Sequence, residues 1–202
     1  MLMVIVVNRC TEHNPYLEET AHLDFNNPIF DQTCERLVTD DLKIEDKLAR
    51  LFYFTRDSIP FASEASLQAS EALKKNQALC YTKAMIFVSF CRKLGVPAKL
   101  AVERFRIRGD LPDAFHHYHG IVKIYINGKW IYIDTVSNDD AWFNWWARNK
   151  QAPFEAPAFS LEEHVVVDSA YIADLIFEDF ETNGVPDKWL EDMRRYIKTG
   201  QW

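Results

Sequence analysis

Between Cys80 and Leu94 the chain reads Cys-Tyr-Thr-Lys-Ala-Met-Ile-Phe-Val-Ser-Phe-Cys-Arg-Lys-Leu, and from Ala84 to Phe90 it is apolar almost all the way round. A helix with one apolar stripe lies on a surface, whereas a helix apolar on every side has to be enclosed. This segment therefore demands partners around it, which excludes folds in which each helix keeps a solvated face. Gly95 and Pro97 close it in the order usual for a helix C-terminus. Three strand-like runs follow: Ala98 to Arg108, His116 to Ile126 and Trp130 to Val136. Asn127-Gly128 joins the last two and supplies positive φ at both central positions of a two-residue hairpin turn. A buried helix followed by an antiparallel sheet is an α+β arrangement.

The chain ahead of this core has helical patterning. Asn27-Pro28 starts a helix that runs to Val38, since Asn caps well and Pro suits a first turn. From about Lys43 to Arg56, Ile44, Leu48, Leu51, Phe52 and Thr55 recur at three- and four-residue intervals, and that helix ends before Ile59-Pro60-Phe61. A short helix from about Ser66 to Lys74 leads into Asn76-Gln-Ala-Leu-Cys80. The apolar opening Met1 to Val7 lacks the basic residues of a signal peptide and is too short to span a membrane. It reads as a strand or buried arm, and the protein as cytoplasmic. Beyond Asp139 come a Trp-rich stretch from Ala141 to Phe159, an apolar strand or helix over Val165 to Phe177, and an amphipathic helix near Asp187 to Lys198. Without a repeat, a low-complexity tract or a linker, residues 1–202 are expected to form one domain, with the 141–202 tail packed on the core.

Composition narrows the partners. With 48% hydrophobic and 26% charged residues the chain is too apolar to be disordered. Its net charge of −7, with no Lys/Arg run reaching four residues, offers no footprint for nucleic acid or for an acidic membrane surface. The four cysteines, at 10, 34, 80 and 91, lack the paired CxxC spacing of structural zinc and are too few for a disulfide scaffold, which fits a reducing compartment. Aromatic residues are in excess at 14%, and Trp142, Trp145 and Trp146 fall together. They form either a packed staple or the wall of a cleft.

The hairpin permits a geometric step. With Asn127 and Gly128 in the turn, Ile126 faces Lys129, Tyr125 faces Trp130, Ile124 faces Ile131, Lys123 faces Tyr132, Val122 faces Ile133 and Ile121 faces Asp134. Side chains alternate faces, so Val122, Ile124, Ile131 and Ile133 share an apolar face that belongs in the core. The opposite, mixed face carries Tyr125, Trp130, Lys123, Tyr132, Ile121, Asp134 and His119. His119 is then the diagonal neighbour of Asp134 at about 7 Å between Cβ atoms, close enough for imidazole and carboxylate to meet. A carboxylate on one ring nitrogen fixes the tautomer and leaves the other to take a proton from a nucleophile. Cys80, opening the enclosed helix, is the best candidate, because a helix N-terminus favours thiolate and its free N–H groups can hold an oxyanion. No local feature of the sequence brings Cys80 to His119.

A family resemblance does. The run Asn76-Gln-Ala-Leu-Cys80, then Gly95-Val-Pro-Ala-Lys99 after a 15-residue interval, then His119 and Trp130-Ile-Tyr-Ile-Asp134, resembles the core motif of the transglutaminase-like superfamily. The helix up to Arg56 and the following Asp57-Ser-Ile-Pro-Phe61 are similar to the region preceding that family's Cys, so the likeness spans about residues 40 to 136. It implies a papain-like core, a buried helix with the nucleophile at its N-terminus packed on an antiparallel sheet. It further implies Cys80 as nucleophile, His119 as general base and then acid, and Asp134 as the orienting carboxylate. Two positions depart from the pattern: Ala78 stands where Gly is common, which alters the loop over the thiol. Gly120-Ile121 stands where an aromatic is usual, which reshapes the cleft.

The chemistry expected is acyl transfer through a thioester, without a cofactor, on a peptide, protein or small-molecule acyl substrate. Hydrolysis is preferred. Transamidation, or a biosynthetic role on a small or carrier-bound acyl group, stays open, as does a non-catalytic binding protein that keeps the fold. Gln77 is a candidate oxyanion donor, and Trp130, Tyr132 and Trp142 are candidates to line the cleft. His117 and His119 point the same way from one strand, but without a third ligand at suitable spacing no metal site is expected. Ser137-Asn-Asp-Asp140 lacks the spacing of a calcium loop and reads as a solvated turn.

Overall fold

A computed structural model describes residues 14–62, 66–107, 117–135, 159–161 and 172–179. In chain order these form a 3-10 turn Pro15–Leu17, helices α1 Pro28–Leu37 and α2 Ile44–Tyr53, a π turn Phe54–Ser58, helices α3 Ala69–Lys75 and α4 Cys80–Lys93, and strands β1 Ala98–Ile107, β2 His117–Ile126, β3 Lys129–Ile133 and β4 Ile172–Asp179. The strands make one sheet in the order β3-β2-β1-β4, antiparallel throughout. Among the described residues no helix is long and apolar enough to cross a membrane. Met1 to Val7, the Trp142 to Trp146 cluster and the Asp187 to Lys198 helix expected from the sequence lie outside the described residues.

The enclosed helix is enclosed. Every residue of α4 from Tyr81 to Arg92 is buried. Its end follows from Gly95 at φ 77°: Val96 N–H donates to Cys91 O and Gly95 N–H to Arg92 O, each at 2.9 Å, the paired bonds of a Schellman cap. Two cations buried with the helix are solvated by backbone. Lys83 Nζ donates to Arg56 O at 2.9 Å, and Arg92 donates from Nε to Ala98 O and from Nη1 to Glu18 O. Burial pulls the Arg92 pKa down to about 10, still far above neutrality, so both carbonyls receive bonds from a charged donor.

The sheet packs one face on α4. Val122, Ile124, Ile131 and Ile133 are all buried, as the alternation predicts, and β1 adds Ala98, Leu100 and Val102. Each Val, Leu or Ile among them contributes about 1.5–3 kcal/mol on leaving water. Asn127 at φ 53° and Gly128 at φ 79° make the tight turn, and the pairing from Ile126–Lys129 to Val122–Ile133 is the expected one. The ladder stops there. Ile121 and Asp134 are not a pair, because Asp134 lies just past the end of β3.

Several boundaries differ from expectation for local reasons. The Lys43 to Arg56 helix turns to π geometry after Tyr53, where Thr55 Oγ1 donates back to Leu51 O at 2.8 Å, and Pro60 then holds Ile59 extended. The short helix starts at Ala69 rather than Ser66. Its cap comes from 46 residues away: the Asp24 carboxylate accepts from Ser70 N–H at 2.9 Å and from Ser70 Oγ at 2.5 Å. Of the tail, Ile172–Asp179 is a strand, so the described part of the Val165 to Phe177 run takes the strand reading. It pairs with β1 through a bulge at Arg106/Ile107. Phe159 packs its ring 5.4 Å from Phe52 and donates its N–H to Tyr53 Oη at 3.4 Å, so the tail touches both the sheet edge and α2.

Candidate active site

Cys80 is the first residue of α4, and its position is fixed from upstream. Asn76 ends α3 in the left-handed conformation at φ 50°, which Asn tolerates better than most residues. The chain then pairs with the segment after the π turn, Ala78 N–H donating to Pro60 O at 3.0 Å and Ala62 N–H to Ala78 O at 3.2 Å. Leu79, at the N-cap, gives no side-chain cap. The first-turn N–H groups of a 14-residue helix therefore open at the thiol, which is itself half-buried.

His119 lies near the start of β2 and Asp134 directly after β3, and both are nearly closed to solvent at 4% and 3% exposure. His119 Nε2 and Asp134 Oδ1 are 2.8 Å apart. The diagonal reach deduced from register is thus realised, although the strands no longer pair at that level. Nδ1 is the ring nitrogen turned away from this bond, and the Cys80 thiol lies near enough to the imidazole to bear on its charge. Burial disfavours the imidazolium, but the Asp134 carboxylate and its hydrogen bond, with the Cys80 thiol, outweigh burial and hold the His119 pKa well above its usual value. The arrangement is a thiol at a helix N-terminus, an imidazole that holds its proton, and a carboxylate that orients it.

The other described cysteines, Cys34 and Cys91, differ. Burial pushes the Cys34 thiol up to about 11, and it raises Cys91, in the middle of the core, further still. Among the described residues no imidazole bears on either thiol as His119 does on Cys80.

The sequence model of the transglutaminase-like superfamily matches residues 31–135, just over half of the chain, and this stretch contains Cys80, His119 and Asp134. The chain belongs to the transglutaminase-like superfamily. No curated protein matches it significantly. One solved structure similar to it bears the name "putative cysteine protease" and comes from Cytophaga hutchinsonii, with 17% identity and a TM-score of 0.48. That match covers 60% of this chain and 40% of the other.

Within this transglutaminase-like core the remaining candidates divide. Gln77 sits one residue before the Ala78 bridge and three before Cys80, half-buried, its backbone N–H on Ala72 O and its side chain without a hydrogen bond among the described residues. Tyr132 is two residues from Asp134 and accepts from Lys123 Nζ at 3.1 Å. Trp130 is four residues away, at the turn end of the hairpin, where its ring meets Tyr16 edge-on at 5.1 Å and Tyr125 at 5.5 Å, with Lys99 Nζ 5.2 Å from its centre. Trp142 is outside the described residues. Two features of the site escaped the sequence reading. The bond from Lys83 to Arg56 O ties the π turn to α4, and its only sequence signal was a lysine inside an otherwise apolar helix. The second is a close approach of Gly120 to Tyr81.

Proposed function

We propose that this protein is a thiol hydrolase that cleaves an amide or ester by way of a Cys80 thioester. The observation that carries the proposal is the buried His119–Asp134 pair, bonded at 2.8 Å, with the Cys80 thiol near enough to the imidazole to raise its pKa. Cys80 Sγ attacks the carbonyl carbon, and the oxyanion is met by the N–H groups of the first turn of α4, with Gln77 as a side-chain donor. His119 gives its proton to the departing amine or alcohol as the carbon–heteroatom bond breaks, leaving a thioester and a neutral imidazole. Water then attacks the thioester, His119 takes a proton from it, the carbon–sulfur bond breaks, and the acid leaves with the Cys80–His119 pair restored. A primary amine in place of water would give transamidation by the same steps. Family membership, an opened helix N-terminus and the elevated His119 support the reading. Free Cys34, Cys80 and Cys91 support a reducing compartment such as the cytoplasm.

Alkylation tests the thiol. At neutral pH iodoacetamide is expected to label Cys80 at least ~10-fold faster than Cys34 in the folded protein, with that advantage lost in His119→Ala. Equal rates at Cys80 and Cys34 would sink the proposal. A quenched peptide library, run with and without added primary amine, reads the acceptor. Cleavage without amine adducts supports hydrolysis, and predominant adducts replace it with transamidation.

A further inference from the structure

We infer that Gly120 is a positioning residue that sets the distance between Cys80 and His119. Gly120 directly follows His119, and Tyr81 directly follows Cys80, so any contact between Gly120 and Tyr81 gauges how closely the two reacting residues approach. That contact is closer than a side chain permits. A Cβ on Gly120 would stand 2.8 Å from Tyr81 Cα, 2.3 Å from its Cδ1 and 2.9 Å from its Cγ. Swinging the Tyr81 side chain about χ1 would relieve the last two. The first is backbone of the first turn of α4, buried on all sides and unable to give way.

Backbone conformation is not the reason for this glycine. Gly95 and Gly128 have positive φ, and Gly120 does not. It is there for space. Its position in the sheet is held by Val102, its partner on β1, and two residues further on β2 is tied to β3 at Val122–Ile133. A side chain at 120 would therefore move β2 away from the start of α4, carrying His119 with it. Asp134 is carried on the same hairpin, so the imidazole–carboxylate bond survives such a movement while the thiol–imidazole contact stretches. The departure of residues 120–121 from the family pattern, noted above as a change in the cleft, has this second consequence.

The inference rests on the thiol-enzyme reading, and the test separates the two. In Gly120→Ala, iodoacetamide alkylation of Cys80 at neutral pH is expected to fall about 10- to 100-fold, the scale of an ångström's misplacement of reacting groups. The pH at which alkylation fades should move upward. At alkaline pH, where an ordinary thiol is ionised, the rate should match the wild type within about threefold. A folded Gly120→Ala protein with the wild-type profile overturns the role of Gly120 and leaves the thiol reading standing. A wild-type Cys80 no faster than Cys34 fails the thiol reading itself. Should Gly120→Ala not fold, Tyr81→Ala is compared with Tyr81→Ala/Gly120→Ala, where only the backbone contact remains. A drop of about threefold or more at neutral pH supports the inference, and equal rates overturn it.

Discussion

The two faces of the β2–β3 hairpin are made by the same backbone and end up in different environments. One face, Val122, Ile124, Ile131 and Ile133, is uniformly apolar and uniformly buried against α4. The other is graded along its length. Tyr125, near the turn, is 41% exposed; Lys123, Trp130 and Tyr132 are half-buried; Ile121, His119 and Asp134 are closed off. An apolar face has one place to go, whereas a mixed face takes its environment from whatever covers it. The candidate site forms where the mixed face enters the interior. There a carboxylate and an imidazole keep their charges because each is the other's partner.

The largest effect is expected of Asp134→Asn. It leaves the shape intact but removes the charge that orients His119 and favours its protonated form, and a loss on the order of 10³-fold in peptide or ester turnover is expected. Steady-state kinetics check it, with the urea midpoint as a control for folding. Next come the faces themselves. Ile124→Ala, wholly buried, is expected to cost about 2–5 kcal/mol in urea unfolding. Tyr125→Ala, its neighbour on the exposed part of the other face, is expected to cost under about 1 kcal/mol. Equal costs would mean that the two faces are not distinct in energy. The smallest and most gradual effect is that of pH. The folded His119 pKa lies above the ordinary 6.5, so its contribution to stability is complete below that value and is lost as pH rises through the folded pKa. One such proton changes stability by at most about 1.4 kcal/mol per pH unit. The stability gap between wild type and His119→Gln should therefore be wider at about pH 6 than in alkaline buffer, and urea midpoints at the two pH values measure it.

Much of the fold was legible because its signals are local. Asn127-Gly128 permits one tight turn, and a two-residue turn leaves one register, so all five cross-strand pairs follow from it. Gly95 ended α4, and Asn27-Pro28 began α1, because these residues relieve strain or orphaned N–H groups where they stand. The start of α3 was misplaced since its cap is Asp24, contributed by a segment far away in the chain. The π geometry after Tyr53 was equally hidden, because Lys83 on another helix takes up one of its carbonyls. Of the site, the His119–Asp134 pair was within reach of register arithmetic, while Cys80 was joined to it only by family resemblance.

By itself, then, the sequence determined a helix that must be enclosed, a hairpin of one register, and a histidine and an aspartate on one face of that hairpin. Periodicity, turn chemistry and pleat alternation act over a few residues and survive without knowledge of the rest of the chain. The tertiary structure decided which part of the mixed face is closed to water, that the tail adds β4 to the free edge of β1, and that the helix N-terminus meets β2 across a glycine. Those outcomes depend on how far apart two packed elements come to rest. That distance is set jointly by two residues 39 positions apart, Tyr81 and the side-chain-less Gly120, and neither declares it alone.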